Sequence, residues 1–590
     1  MRLTKARPVR RFIVGVFAVI GAIFVLLIIA GVALGLLLSR EPGAHVESDT
    51  VLTLDLTGAL PDEPSARGLS QILFPSGMSL AKTLGALSTA SNDPRVTGLV
   101  ARIGEGGMGF AEIQELRDAI AAFRAKGKRA IAYADTFGEL SSGTRSYYLA
   151  SAFDEIWLQP LGAVGLVGLR AELPYLRGTL DKLGIVADFE HREEYKDAAN
   201  PLTETAMPAA EREELQGLLQ SLYSQIVAGI AKDRKLAPDT VRQLVDRSPL
   251  LIGEAMKAHL IDHVGYREDA LASFGATASR LSLARYSHAV GAPHREGPTI
   301  ALIYATGLMA SGGGDNSLIG SSVMSADAVT RAFRMARSDK SVRAILFRID
   351  SPGGSAVAAE TIWKAVERTR AAGKPVIVSM GDVAGSGGYY IAAPATKIVA
   401  EPATLTGSIG VVAGKIAFGG LLKKLGGNSD SVQIGANAGM FSLLQDFTPS
   451  ERERLNAVLD SIYATFKERV AAGRKLDAGA VEAVAKGRVW SGEDAKAHGL
   501  VDELGGFDTA LALAKQAAGI AAKEDVTLKL YPPPKSTFDQ ILARLSGRGL
   551  GDAASLMPES VAGALGTSVQ QIALMLAPRG ALTMPPFVLR

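Results

Sequence analysis

One pattern runs through this chain twice, and that duplication constrains the fold more than any other feature. Residues 51–58 (VLTLDLTG) return as residues 300–307 (IALIYATG), and residues 96–103 (VTGLVARI) as residues 342–349 (VRAILFRI). The pairs 125–131 and 371–377 (AKGKRAI, AAGKPVI), 147–150 and 389–392 (YYLA, YYIA), and 254–259 and 493–498 (EAMKAH, EDAKAH) continue the series. The offset drifts only from 249 to 239, so a few short gaps align two repeats of roughly 230 residues, the size of a duplicated domain rather than a solenoid unit. Within each copy, short β-branched runs alternate with helical patterns. Residues 344–349 read as a buried strand, 356–371 as a helix closed by Gly373-Lys374-Pro375, and 376–379 as the next strand. That order predicts βαβ units and a parallel sheet, an α/β fold class. Residues 208–232 and 449–472 read as long amphipathic helices. The repeats are expected at 50–290 and 298–520. A partly irregular tail, 521–590, follows, marked by Pro532-Pro533-Pro534 and Pro585-Pro586.

Ahead of the repeats, residues 12–38 form a run of 27 residues without a charge. A spanning helix needs about 20 apolar residues, so this run predicts one transmembrane helix. It exceeds the apolar core of a cleavable signal, and Ser39-Arg40-Glu41-Pro42 offers no small-residue cleavage site. Arg2, Lys5, Arg7, Arg10 and Arg11 precede it, whereas Arg40 is followed by Glu41, Glu47 and Asp49. The positive-inside rule then leaves residues 1–11 in the cytoplasm and the bulk of the chain on the far side of the membrane.

Composition narrows the chemistry. The chain has no cysteine, which excludes disulfides, thiol catalysis and Cys-ligated zinc. Lys+Arg 63 against Asp+Glu 60 gives a net charge of +3, too balanced for a nucleic-acid partner. The seven histidines show no metal-ligand spacing, so neither a metal nor a cofactor is expected. Two Gly-rich turns in the second copy stand out: Asp350-Ser351-Pro352-Gly353-Gly354-Ser355 and Gly385-Ser386-Gly387-Gly388, each directly after a strand. A serine opening a helix beside such a loop suits a nucleophile flanked by oxyanion donors, and equally an N-cap. Neither the α/β-hydrolase elbow, since Ala occupies position 384, nor a phosphate-binding P-loop is present. The duplication favours a site. On the Tyr147/Tyr389 alignment, Ser386 falls opposite Thr144 and Gly387 opposite Arg145, and residues 104–109 (GEGGMG) replace the second copy's SPGGS. A purely structural loop would persist in both copies. Only His498 lies in the second copy, and its match with His259 suggests a shared structural role. Lysine is then the remaining common base.

These residues resemble the signal peptide peptidase A (protease IV) family, membrane-anchored Ser-Lys peptidases, in the long form with tandem repeats. The resemblance rests on residues 350–355, 385–390 (GSGGYY), 405–410 (LTGSIG), 489–502 (VWSGEDAKAHGLVD) and, in the first copy, 194–201 (EYKDAANP). It implies two Clp-protease/crotonase-like repeats, a serine endopeptidase that degrades remnant signal peptides after their release from exported proteins, and a ring-like homo-oligomer, a tetramer. It places the chain as a single-pass protein of the bacterial inner membrane with its catalytic ectodomain in the periplasm. Its motifs make Ser386 the nucleophile, Lys196 the general base, the Gly354 and Gly387 N–H groups the oxyanion hole, and Ser408 the serine that orients the lysine. Gly385 stands where the family often has Ala. A crotonase-like acyl-transfer enzyme or hydratase and a non-catalytic ring-forming scaffold are the alternatives.

The assignment makes a physical demand. A free lysine has a pKa near about 10.4, and lowering it to about 8 requires roughly 3 kcal/mol of destabilisation of the ammonium. Burial can supply that, but Glu193, Glu194 and Asp197 adjoin Lys196 and must point elsewhere. Because Ser386 and Lys196 lie in different copies, the site is expected where the repeats meet.

Overall fold

The computed structural model describes residues 45–62, 78–139, 141–291, 293–312, 323–533 and the short strand Leu582–Thr583. The charge-free run 12–38 and most of the tail lie outside the described residues. Among the described residues no helix is long and apolar enough to cross a membrane.

The duplication extends to sheet topology. The first sheet runs Ser279–Ser282, Thr50–Leu56, Val96–Ile103, Arg129–Ala134, Glu155–Leu158, His263–Val264, every neighbour parallel. The second repeats that order as Thr527–Leu530, Thr299–Thr306, Val342–Ser351, Val376–Gly385, Lys397–Ala400, Glu503–Leu504. Its first strand lies beyond residue 520, where the sequence suggested the tail had begun. Helices cover the sheets, which is why residues 342–349 read as a nearly unbroken apolar run: all but Arg343 are buried. The helices correspond too. Phe110–Ala125 matches Ala356–Ala371, and Ala209–Arg234 matches Pro449–Arg474. Both long helices end on a left-handed lysine, Lys235 at φ +55° and Lys475 at φ +57°.

The copies differ at one strand in a way that matters. Arg129–Ala134 has 6 residues, whereas Val376–Gly385 has 10. The extension pairs with Leu405–Gly407, which in turn pairs antiparallel with Val489–Ser491. It thereby brings Ser386 and Ser408 to one end of the second sheet.

The repeats are packed into one another. Ile300, Leu302, Ala344 and Leu346 of the second sheet, with Phe507, Ala510 and Leu511 of the Phe507–Ala517 helix, belong to the same apolar core as the first sheet. Val186–His191 of the first copy pairs antiparallel with Val412–Ala417 of the second. Asp382 Oδ1 accepts the N–H groups of Ala111 and Glu112, at 2.9 and 3.1 Å, at the start of the Phe110–Ala125 helix, where a carboxylate suits the helix dipole.

Candidate active site

Ser386 sits between the Val376–Gly385 strand and the Gly387–Ala392 helix. Its backbone is left-handed, φ +52° and ψ −114°, a conformation that costs a non-glycine residue on the order of 1–3 kcal/mol. Its surroundings hold it there. Ser386 N–H donates to Gly407 O at 2.8 Å, and Ser386 O accepts from Tyr390 N–H at 2.9 Å. Space allows no side chain two residues on: a Cβ at Gly388 would lie 2.6 Å from Ser351 O.

Lys196 arrives from the first copy. Beyond the Val186–His191 strand the chain turns inward, with Arg192 N–H on Val411 O at 2.9 Å and Tyr195 N–H on Lys486 O at 3.1 Å. Gly487 leaves room for it, since a Cβ there would lie 2.5 Å from Lys196 N. The side chain is 0% exposed. Lys196 Nζ lies 3.0 Å from Ser386 Oγ, 2.9 Å from Ser408 Oγ and 3.2 Å from Ser408 O. Ser408, also left-handed at φ +50°, is pinned by its N–H on Arg488 O at 2.7 Å. The serine and the lysine, 190 positions apart, thus meet within a single chain.

Burial lowers the Lys196 pKa to about 7, against the opposing pull of Asp197 and Glu214. A neutral amine has two N–H bonds and one lone pair. Both N–H groups can go to Ser408, which leaves the lone pair facing the Ser386 hydroxyl. This arrangement can accept a proton from Ser386.

Gly387 follows Ser386, and the Gly353–Gly354 strand packs against the helix that Gly387 opens. Gly387 opens a helix, so its N–H has no intrahelical acceptor. The Gly353–Gly354 strand runs parallel to Met309, to whose carbonyl Ser355 donates at 2.9 Å. Alternation along the ladder turns the Gly354 N–H to the opposite edge, which the Leu582–Thr583 strand of the tail occupies, antiparallel. Gly354 has φ +147°, and a Cβ there would lie 2.3 Å from Met309 O, so glycine is required. Ser351, not singled out in the sequence, braces this loop. Its hydroxyl donates to Gly307 O at 2.7 Å and accepts from Gly353 N–H at 3.1 Å.

Two expectations need correction. Glu194 does point away, to Lys486 at 3.3 Å, but Asp197 is only 4% exposed. Burial, and then Glu211, push its carboxyl up to about 7, which limits the charge it places beside Lys196. The match of His259 with His498 is off by one residue. Tyr147 Oη donates to Leu260 O at 2.7 Å and Tyr389 Oη to Leu500 O at 2.9 Å. His259 at φ +56° therefore corresponds to Gly499 at φ +75°, and His498 packs against the Trp490 ring. The two histidines share no role. In the first copy, Thr144 donates to Gly168 O at 3.0 Å. A cleft of about 450 Å³ there is lined by Glu105, Asp135, Glu139 and Ser141, without a serine–lysine pair among the described residues that line it.

Comparison with known proteins finds the same duplication. The sequence pattern of peptidase family S49 matches residues 122–279 and 368–521, once in each copy. The chain belongs to peptidase family S49. It is 31% identical over 530 residues to the chloroplastic serine protease SPPA of Arabidopsis thaliana, covering 87% of this chain and 76% of that one. It is 30% identical over 596 residues to Protease 4 of Salmonella typhi, covering 94% and 93%. Among solved structures, a ClpP1 mutant from Listeria monocytogenes aligns with 36% of this chain and 94% of its own at 16% identity and a TM-score of 0.23. The S49 chain is a serine peptidase, so the acyl-transfer and scaffold alternatives fall away.

Proposed function

We propose that this S49 peptidase is a membrane-anchored endopeptidase with a Ser386–Lys196 dyad that degrades remnant signal peptides. The observation that carries the reading is the buried amine 3.0 Å from a strained serine hydroxyl. Ser386 Oγ attacks the peptide carbonyl carbon while Lys196 Nζ takes its proton. The Gly354 and Gly387 N–H groups receive the oxyanion. The ammonium then returns the proton to the leaving amine as the C–N bond breaks, leaving an acyl-serine. Water, deprotonated by the same amine, attacks that ester and frees Ser386. Ser408 orients Lys196 throughout.

The substrate is an extended apolar peptide laid along the Gly353–Gly354 edge, the place where the tail segment Leu582–Thr583 pairs. On this reading the charge-free run 12–38 is the membrane anchor. Residues 1–11 stay in the cytoplasm, and two Clp-protease/crotonase-like repeats, the second carried past residue 520 to its strand Thr527–Leu530, work in the periplasm at the inner membrane, where severed signal peptides remain. A homotetramer encloses the sites. To test this, full-length protein in detergent micelles is given a synthetic signal peptide. Cleavage is expected, and its loss in Ser386→Ala. Cleavage that survives Ser386→Ala, or an intact signal peptide beside digested casein, would contradict the dyad or the substrate respectively.

A further inference from the structure

Beside the proposed base lie two buried carboxyls that the peptidase chemistry does not use. Glu214, on the Ala209–Arg234 helix of the first copy, is 2% exposed. Its Oε1 accepts Val489 N–H at 2.6 Å, and its Oε2 is buried without a partner. Asp197 is similarly enclosed, and its Oδ1 is unpartnered as well. Val489 pairs with Gly407, and the preceding Arg488 O accepts Ser408 N–H. Glu214 therefore holds the strand that holds Ser408, and Ser408 holds Lys196 Nζ.

An ionised Glu214 would do two opposing things. Its hydrogen bond would fix the strand, but its charge would stabilise the ammonium and raise the pH at which the amine is free. The charged groups facing it are Asp197 and Lys196, from the segment after the Val186–His191 strand, and Arg488 of the second copy. Arg488 is shared: its Nη1 pairs with Glu213 at 3.2 Å, and its guanidinium lies over the rings of Tyr195 and Trp490. On the same helix, Glu211 accepts from Asn200 Nδ2 at 2.9 Å. Burial first, and then Asp197, favour the uncharged form of Glu214.

We propose that Glu214 is a positioning residue for Lys196, kept as a neutral carboxylic acid: it fixes the start of the Val489–Ser491 strand, and with it the Arg488 carbonyl behind Ser408, without placing a negative charge beside the amine. This rests on the Ser386–Lys196 reading above.

The test uses the full-length chain and three variants. Glu214→Gln keeps an acceptor oxygen and is permanently neutral. It should retain kcat within about threefold and leave the acid limb of kcat/KM in place. It should also delete the carbonyl band of a protonated carboxyl from the infrared spectrum. Glu214→Ala loses the acceptor and should lower kcat about tenfold with KM little changed. An acid limb displaced by about one unit to lower pH in Glu214→Gln, or an unchanged infrared spectrum, means that Glu214 is ionised and overturns the proposal. Wild-type kcat in a folded Glu214→Ala overturns it as well. If Glu214→Ala does not fold, the pH profile and the infrared spectrum of Glu214→Gln decide. Lys196→Ala separates this inference from the dyad: full activity there ends both readings, whereas inactivity leaves the dyad standing and the Glu214 arms decisive.

Discussion

Lys196 is a residue whose value as a base comes from where it is buried. Enclosure brings it down to about 7, so below that pH the site holds an ammonium with no lone pair for the Ser386 proton. Activity should follow the neutral amine: kcat/KM should rise with pH and level off above about 7, where an ordinary lysine would delay the rise to about 10. A profile of peptide hydrolysis from about pH 5 to 10 checks this. Lys196→Arg should be inactive, because a guanidinium does not give up its proton. Ser408→Ala removes one of the two Ser408 contacts to Nζ and should cost about 10-fold in kcat, far less than loss of the base. Ser386, Lys196 and Ser408 were legible because each sits in a motif. Glu214 was not. Its partner is a backbone N–H 275 positions away, and a glutamate on an amphipathic helix carries no sign of such a contact. Asp197 was misread because adjacency in sequence says nothing of which side chains share a buried pocket.

At the scale of elements, periodicity located the 356–371 helix and the strands around it, since buried parallel strands and amphipathic helices print their spacing on the chain. It stopped the 376–379 strand early, because residues 380–385 (MGDVAG) lack a strand-like apolar run, and tertiary pairing with Leu405–Gly407 extends the strand to Gly385. The one-residue error at His498 has a similar cause: identical letters drew the alignment, whereas backbone conformation and the tyrosine hydrogen bonds set the true register. The Gly387–Ala392 helix must lie close to the Ser351 loop. Gly388→Ala puts a methyl against a backbone carbonyl that cannot rotate away. It should separate Ser386 from the Gly354 N–H, lowering kcat about 100-fold with KM nearly unchanged, and lowering Tm modestly. Steady-state kinetics and a melting curve measure both.

Over the whole molecule, the site exists because the two copies are wedged together. Arg348, 1% exposed in the side chain, bridges Asp62 at 2.9 Å and Glu115 at 2.7 Å across that wedge. Arg348→Ala would strand a buried carboxylate at Glu115, already pushed up by burial, at a cost of about 3–5 kcal/mol. In the variant the folded state would bind the Glu115 proton more tightly than the unfolded chain does. Stability should therefore recover as pH falls from about 8 to 5, and chemical denaturation at several pH values reports it. The division of labour between copies was legible from the duplication itself, in which one copy keeps the serine loop and the other the lysine. That the two halves meet within one chain was not, since no sequence pattern distinguishes that arrangement from a site shared between neighbours.

The most direct test of the dyad is labelling by a fluorophosphonate, which reacts only with an activated serine, at pH 8 in full-length protein and in Lys196→Ala, with the modified residue located by mass spectrometry. The account predicts a single adduct on Ser386 in the wild type and none in Lys196→Ala. An adduct on another serine, or undiminished labelling of Ser386 without Lys196, would contradict it.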